Sequence, residues 1–176
     1  MKARIATAWL DGCSGCHMSL LDMDERIIAL AEKIDLVYSP IVDCKEFPEN
    51  VDVALVEGAV NNQGEVEKIR RIRARTKVLV SLGDCAVTCN VPRMRNSYKR
   101  DEVLARAYIE NAQYEPQVPT QVVPPLLSRA YAIHEIVKVD VFLPGCPPPT
   151  CAIEFALSEL LEGRMPDVSE LTRFGK

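Results

Sequence analysis

Residues 51–85 read VDVALVEGAVNNQGEVEKIRRIRARTKVLVSLGDC, and the fold can be predicted from this stretch. Residues 51–56 form a short run rich in β-branched side chains, which is typical of a strand. A helix is predicted from about 64 to 75, and residues 77–82 again have the composition of a strand. Strand, helix and strand in succession predict a βαβ unit, whose two strands are parallel.

The same alternation continues on both sides of this unit. Further strands are predicted over 4–9, 36–42 and 138–142. Further helices are predicted from Ser19 or Asp22 to about residue 33, over 101–110 and over 150–162. The sequence therefore predicts an α/β fold, a flavodoxin-like doubly wound and mostly parallel five-stranded sheet. We expect residues 1–176 to form a single flavodoxin-like domain with a loosely ordered tail from about residue 163.

The connection over residues 90–128 is the least regular part of the sequence. Its stretch 116–125 is rich in proline and is predicted to be extended. Connections of this length inside a compact domain usually have a binding role, so we expect this one to face a partner.

Composition excludes two broad classes of function. The formal net charge is −4, which gives no basis for nucleic-acid binding. No uninterrupted apolar run approaches the roughly 20 residues that a membrane-spanning helix needs, so no membrane role is expected.

The chain has seven cysteines, an odd number that does not suit a secreted disulfide framework. Cys13 and Cys16 follow the first predicted strand, Cys85 the fourth and Cys146 the fifth. Functional groups in parallel sheets gather beyond the carboxyl ends of the strands, so these four thiols are expected to converge. Four thiolates suit a [4Fe–4S] cluster or a structural zinc.

The cysteines also allow other interpretations. Cys13 and Cys16 alone resemble a redox dithiol, although that interpretation leaves Cys85 and Cys146 without a role. Cys89, four residues after Cys85, is a competing ligand, and we prefer Cys85 because it lies closer to the strand end. The remaining cysteines, Cys44 and Cys151, are interpreted as ordinary free thiols.

Two polar residues beside these loops have an open role. Glu57, after the third predicted strand, is either a turn carboxylate or a proton relay near the site. His17 directly follows a candidate ligand and either bonds near the site or faces solvent.

Four segments together resemble the small subunit of [NiFe] hydrogenases, most closely the soluble NAD-reducing (bidirectional) type. They are DGCSGCHMSLLD (11–22), VALVEGAV (53–60), LVSLGDCA (79–86) and VDVFLPGCPPP (139–149). The resemblance implies one proximal [4Fe–4S] cluster held by Cys13, Cys16, Cys85 and Cys146. It also implies that Glu57 matches the glutamate of the family's Glu-Gly segment.

That resemblance carries expectations about partners. The nickel–iron centre would lie in a hydrogenase large subunit, and electrons would pass to diaphorase subunits with flavin and further iron–sulfur clusters that reduce NAD. Export-type small subunits have a twin-arginine leader and a second cluster-bearing domain, and neither is evident here. We therefore expect a one-cluster electron relay in the cytoplasm.

Two further possibilities accompany the resemblance. The cluster-bearing subunit of a complex I-like quinone reductase is a related alternative, but it typically has adjacent cysteines where this chain has the spaced pair Cys13 and Cys16. The flavodoxin-like fold also leaves flavin mononucleotide open, although no sequence feature demands it.

Overall fold

The structure is a computed structural model that describes residues 2–172. Within that range the strands are β1 Ala3–Trp9, β2 Ile34–Tyr38, β3 Val51–Glu57, β4 Val60–Asn62, β5 Thr76–Leu82, β6 Leu126–Tyr131 and β7 Val141–Leu143. The α-helices are α1 Gly15–Leu21, α2 Arg26–Lys33, α3 Gln63–Ala74, α4 Asp84–Thr88, α5 Arg100–Ala105 and α6 Thr150–Leu161.

Five strands form one sheet in the order β2-β1-β3-β5-β7, and every neighbouring pair is parallel. The chain leaves β1 toward one edge for β2 and then crosses to β3 and onward to the other edge. This is the flavodoxin-like strand order, so the predicted fold class is confirmed. Glu57 at the end of β3 lies opposite Trp9 of β1 and Leu82 of β5, so the three central strands end level.

Helices cover both faces of this sheet, which is why its central strands are almost continuously apolar. On one face, Ile69 and Ile72 of α3 are fully buried against β1 and β3. On the other face, Ile153 and Leu157 of α6 pack with the remaining strand residues. Each such side chain contributes about 1.5–3 kcal/mol of hydrophobic stabilisation when fully buried.

Helix α3 begins at a reciprocal cap. The Asn62 side chain accepts a hydrogen bond from the Glu65 backbone N–H, and the Glu65 side chain accepts in return from the backbone N–H of Asn62. Such a cap satisfies N–H groups that the first turn of a helix leaves free. It fixes where the chain turns from the sheet edge into the helix.

Several element boundaries differ from the prediction. The single helix expected up to residue 33 is two helices, α1 and α2, because Asp24 has a left-handed φ of 50° that no helix can continue through. The second strand ends at Tyr38, before Pro40, instead of reaching residue 42. The fifth strand of the sheet begins at Val141 instead of residue 138.

A second sheet of two strands was not predicted. In it, β4 pairs antiparallel with β6, which follows the proline-rich stretch. Residues 116–125 themselves carry neither helix nor strand, and the Pro125 carbonyl accepts a hydrogen bond from the backbone N–H of Gln63 at the start of α3. The long connection is thus fastened to the domain at this point.

The end of the chain is described only in part. Val168 is buried and packs with the core cluster that contains α6. The rest of the predicted tail, residues 173–176, lies outside the described residues. None of the helices within residues 2–172 has the length and apolarity that crossing a membrane requires.

Candidate metal centre

A cavity of about 80 Å³ lies beyond the carboxyl ends of the central strands. Four cysteines from three separate loops line it: Cys13, Cys16, Cys85 and Cys146. Cys13 and Cys16 come from the β1–α1 connection, Cys85 from the first turn of α4 and Cys146 from the loop after β7. The structure therefore brings together the four thiols that the sequence singled out. We call this space the cysteine cavity.

Two glycines make room for the cysteines. Gly83 has a left-handed φ of +82°, and a Cβ added there would lie only 2.2 Å from the Cys16 sulfur. Gly145 has φ +137°, and its added Cβ would lie 2.5 Å from Pro148 Cα. Real Cβ atoms do not come this close to their neighbours, so only glycine fits at either position.

The loops that carry Cys85 and Cys146 are tied directly to each other. The backbone N–H of Asp84 donates to the Gly145 carbonyl at 2.8 Å, and the Gly145 N–H donates to Asp84 Oδ1 at 2.7 Å. A further tie joins α1 to the third loop, where the Ser19 hydroxyl donates to the Pro148 carbonyl at 2.6 Å. These bonds hold the cysteine loops in register through protein groups alone.

Two of the four thiols, those of Cys16 and Cys85, lie in surroundings that oppose ionisation. Burial raises the pKa of Cys16 strongly, and the neighbouring Glu57 carboxylate raises it further. Burial also raises the pKa of Cys85, partly offset by a hydrogen bond from the Val91 backbone N–H. Because metal ligands must be thiolates, a cation that binds here displaces protons from these sulfurs.

Glu57 and His17 form a buried pair beside the cavity. Glu57 is 1% exposed and lines the cysteine cavity. Its Oε2 accepts from the His17 backbone N–H at 3.1 Å, and its Oε1 lies 2.9 Å from His17 Nδ1, although those two atoms are not aligned as a hydrogen bond. His17 therefore lies inside the fold beside the site and does not face solvent.

The other cysteines lie elsewhere. Cys89 is fully buried in a small apolar cluster with three alanines, Ala59, Ala130 and Ala132. It does not line the cysteine cavity, and burial raises the pKa of its thiol to about 11. Cys44 and Cys151 are exposed and do not line the cavity either.

Sequence reasoning missed two contributors to this site. The Asn90 side chain reaches the Cys146 sulfur, and the Val91 backbone N–H reaches Cys85. Only their position directly after Cys89 could have indicated a role, because an N–H···S contact produces no recognisable sequence pattern.

The spacing of the four thiols distinguishes between a single zinc ion and a [4Fe–4S] cluster. Within residues 2–172, no three Cys, His, Asp or Glu side chains lie close enough together to hold a single metal ion. Structural zinc needs four ligands about 2.1–2.3 Å from one point. The four thiols instead surround a cavity of about 80 Å³, well above the roughly 30 Å³ that one water occupies in the liquid. Thiols spaced around such a volume fit a multi-atom group such as a [4Fe–4S] cluster.

Comparison with known proteins gives the family. The family described as NADH ubiquinone oxidoreductase, 20 Kd subunit, matches residues 13–160, a range that includes all four cavity cysteines. The chain belongs to this family. Within the 20 Kd subunit family, its relatives are hydrogenase subunits.

Two relatives and one solved structure illustrate this. The chain is 39% identical to the NAD-reducing hydrogenase HoxS subunit delta of Cupriavidus necator, over 98% of this chain and 86% of the relative. It is 36% identical to one subunit of the F420-non-reducing hydrogenase vhu from Methanocaldococcus jannaschii, over 94% of this chain but only 58% of that relative. A chain in the crystal structure of an NAD+-reducing [NiFe]-hydrogenase in the H2-reduced state superposes with a TM-score of 0.94 at 41% identity, covering 99% of both chains. The predicted resemblance to hydrogenase small subunits of the NAD-reducing type is confirmed.

Proposed function

We propose that this chain is the electron-relaying small subunit of a hydrogen:NAD oxidoreductase. It would hold one [4Fe–4S] cluster on the four thiols of the cysteine cavity, Cys13, Cys16, Cys85 and Cys146. The observation that carries the proposal is the convergence of these thiols from three loops on one cavity. Further support comes from the high similarity to a chain of an NAD+-reducing [NiFe]-hydrogenase.

A bound [4Fe–4S] cluster would supply a one-electron redox centre at the edge of the sheet. The protein's own contribution is to hold the thiols apart at fixed positions and to shield them. The hydrogen bonds between Asp84 and Gly145 join two of the ligand loops through protein groups. A site held in this way would need little rearrangement when the cluster gains or loses an electron.

Glu57 is the residue of this chain that we assign to proton handling. Its carboxylate lines the cysteine cavity and is held by the backbone N–H of His17. In this position it can accept a proton at Oε1, the oxygen that lies 2.9 Å from His17 Nδ1. We assign it to the relay of protons near the cluster, not to bond cleavage.

The partners follow from the chemistry of the reaction. Nothing in this chain is proposed to split hydrogen, so a large subunit with a nickel–iron centre would do so. Diaphorase subunits with flavin and further iron–sulfur clusters would deliver the electrons to NAD, and the complex would therefore work in the cytoplasm, where NAD is held. We also infer that residues 1–176 act as one domain in this complex. Flavin mononucleotide within this chain has no support among the described residues.

A second candidate comes from the family itself. Its description as a subunit of NADH ubiquinone oxidoreductase suits a cluster-bearing subunit of a complex I-like quinone reductase. The spaced pair Cys13 and Cys16 favours the hydrogenase. Nickel in the co-purified complex would distinguish the two.

The test is to purify the complex without oxygen and compare two serine variants. Cys146→Ser should remove about four iron and four sulfide per complex and its paramagnetic signal. It should also lower hydrogen-dependent NAD reduction by at least about 100-fold, because even residues behind a metal ligand typically cost 10–100-fold.

Cys151→Ser is the matched control, since Cys151 is exposed five residues further on and does not line the cavity. It should retain iron and activity. Full iron content and activity in Cys146→Ser would overturn the proposal, as would one zinc per chain in place of iron.

A further inference from the structure

The turn that joins α4 to the following 3₁₀ helix, Val91–Ser97, lies beside the cysteine cavity. Cys89, at its start, has a left-handed φ of 68°, a conformation that is unfavourable for a residue with a side chain. Its side chain is 0% exposed and packs against three alanines. The apolar packing of Cys89 thus holds the chain in a conformation that it would not adopt alone.

This anchored turn directs two N–H donors at two different cavity cysteines. The Asn90 side-chain nitrogen Nδ2 lies 3.6 Å from the Cys146 sulfur and donates to it. The backbone N–H of the next residue, Val91, lies close enough to Cys85 to lower the pKa of that thiol. Two successive residues therefore serve ligands from two separate loops.

The turn is rigid enough to keep these donors in place. The backbone N–H of Arg93 bonds to the carbonyls of both Cys89 and Asn90, at 3.0 and 3.1 Å. The burial of Cys89 and the hydrogen bonds of Arg93 together hold the backbone of Asn90, from which its side chain extends. A donor held in position costs little to reorganise when charge appears next to it.

We infer that Asn90 raises the reduction potential of the cluster through its hydrogen bond to the Cys146 sulfur. Adding one electron makes the cluster and its sulfurs more negative, so an N–H aimed at a sulfur stabilises the reduced form more than the oxidised form. This inference rests on the proposed function, since it needs a cluster in the cysteine cavity. It gives Asn90 a tuning role, without making it a ligand.

The experiment is a redox titration of the purified complex, followed through the paramagnetic signal of the reduced cluster. In Asn90→Ala, the equilibrium constant for one-electron reduction should fall by up to about tenfold, the limit reached if the whole strength of a hydrogen bond to a charged group belongs to the reduced form. That limit is a shift of about 59 mV to lower potential. Asn90→Asp should shift it further, because it replaces the donor with a negative charge.

Asn111→Asp is the control, because it adds the same charge at an exposed residue that does not line the cavity; its potential should equal that of the parent. Asn90→Asp has nearly the same shape as the parent side chain and gives a second measurement if the alanine variant loses iron. A fully iron-loaded complex whose potential is unchanged by both Asn90 variants would overturn this inference alone. A parent complex without iron would overturn the proposed function and this inference with it.

Discussion

The two edges of the parallel sheet differ in how they satisfy their polar groups. At the amino edge, Asp52 accepts from the backbone N–H of Arg4 and pairs with Lys77, and Asp140 accepts from the backbone N–H of Leu79. At the carboxyl edge, His17 Nε2 and the Ser81 hydroxyl are buried without a hydrogen-bond partner, as far as the described residues go. Among the described residues, the buried side-chain polar atoms without a hydrogen-bond partner thus lie toward the carboxyl edge and not at the amino edge.

Backbone conformation differs between the edges only by degree. Of the residues with positive φ, Ser14, Gly58, Gly83 and Cys89 lie beyond the carboxyl edge, whereas Asn50, directly before β3, lies at the amino edge. Such conformations persist only where the surrounding structure enforces them, and they gather at functional sites. The comparison suggests that the amino edge supplies stability and the carboxyl edge gives up some stability for function.

The largest effect is expected at the carboxyl edge, from Gly83→Ala. The added methyl group would collide with the Cys16 sulfur, and the residue would keep a φ of +82°. Together these should lower the free energy of unfolding by about 3 kcal/mol or more and prevent iron loading. Denaturant titration and iron analysis measure the two effects.

Gly163→Ala separates strain from collision. Gly163 has a similar φ of +74°, but an added Cβ there would meet nothing within 4 Å. It should cost roughly 1–2 kcal/mol and leave iron loading intact. Equal losses in the two variants would show that the cysteine cavity is no more constrained than a surface turn.

The amino edge is broken most directly by Asp140→Ala. Asp140 also pairs with Arg73, so the variant would remove the acceptor of the Leu79 N–H and the carboxylate partner of Arg73, whose guanidinium would keep the carbonyls of Thr76 and Lys77. We expect a loss of about 2 kcal/mol of unfolding free energy with unchanged iron content. Asp35→Ala, at an exposed aspartate, should change the stability little. Loss of iron in Asp140→Ala would contradict the division between the edges.

The effect of Asp140 depends on pH with a definite sign. Burial raises the pKa of this carboxyl, but the Leu79 N–H and Arg73 outweigh burial and hold the pKa below its ordinary value of 3.8. A lowered folded-state pKa gives stability that is present above pH 3.8 and is lost as the pH falls through the folded-state pKa. The parent and Asp140→Ala should therefore differ at pH 7 and converge in acid, as denaturant titrations would show.

The smallest effect is expected from Lys77→Ala. Its ammonium lies 2.7 Å from Asp52, but the lysine side chain is 73% exposed. Exposed pairs of this kind contribute less than about 1 kcal/mol. A thermal melt with a larger loss than for Asp140→Ala would show that exposed pairs, not the half-buried one, stabilise the amino edge.

The parallel sheet could be predicted from the sequence because its strands are apolar runs. The candidate ligand cysteines follow the carboxyl ends of these strands. Cys13 and Cys146 could be assigned to one site for that reason alone. The β4–β6 pair was missed because β6 follows a proline-rich stretch and pairs with a strand far away in the chain. The break between α1 and α2 was missed because the apolar periodicity continues past Asp24, although aspartate adopts the left-handed conformation more readily than most residues.

Site details that depend on distant contacts were also beyond the sequence. The contact of Glu57 with His17 joins residues 40 positions apart, and that of Asn90 with Cys146 joins residues 56 apart. Neither follows a periodic pattern. The role of Gly83 in leaving space for the Cys16 sulfur likewise depends on where α1 packs.

The origin of the cavity cysteines in three remote loops has a consequence for how the protein is made. While the chain is being synthesised, Cys13 and Cys16 leave the ribosome long before Cys146 is added. During that interval they are a two-thiol chelate that soft metals such as zinc or copper can occupy. Loading of the proposed cluster would therefore have to wait until nearly the whole chain has been released and folded.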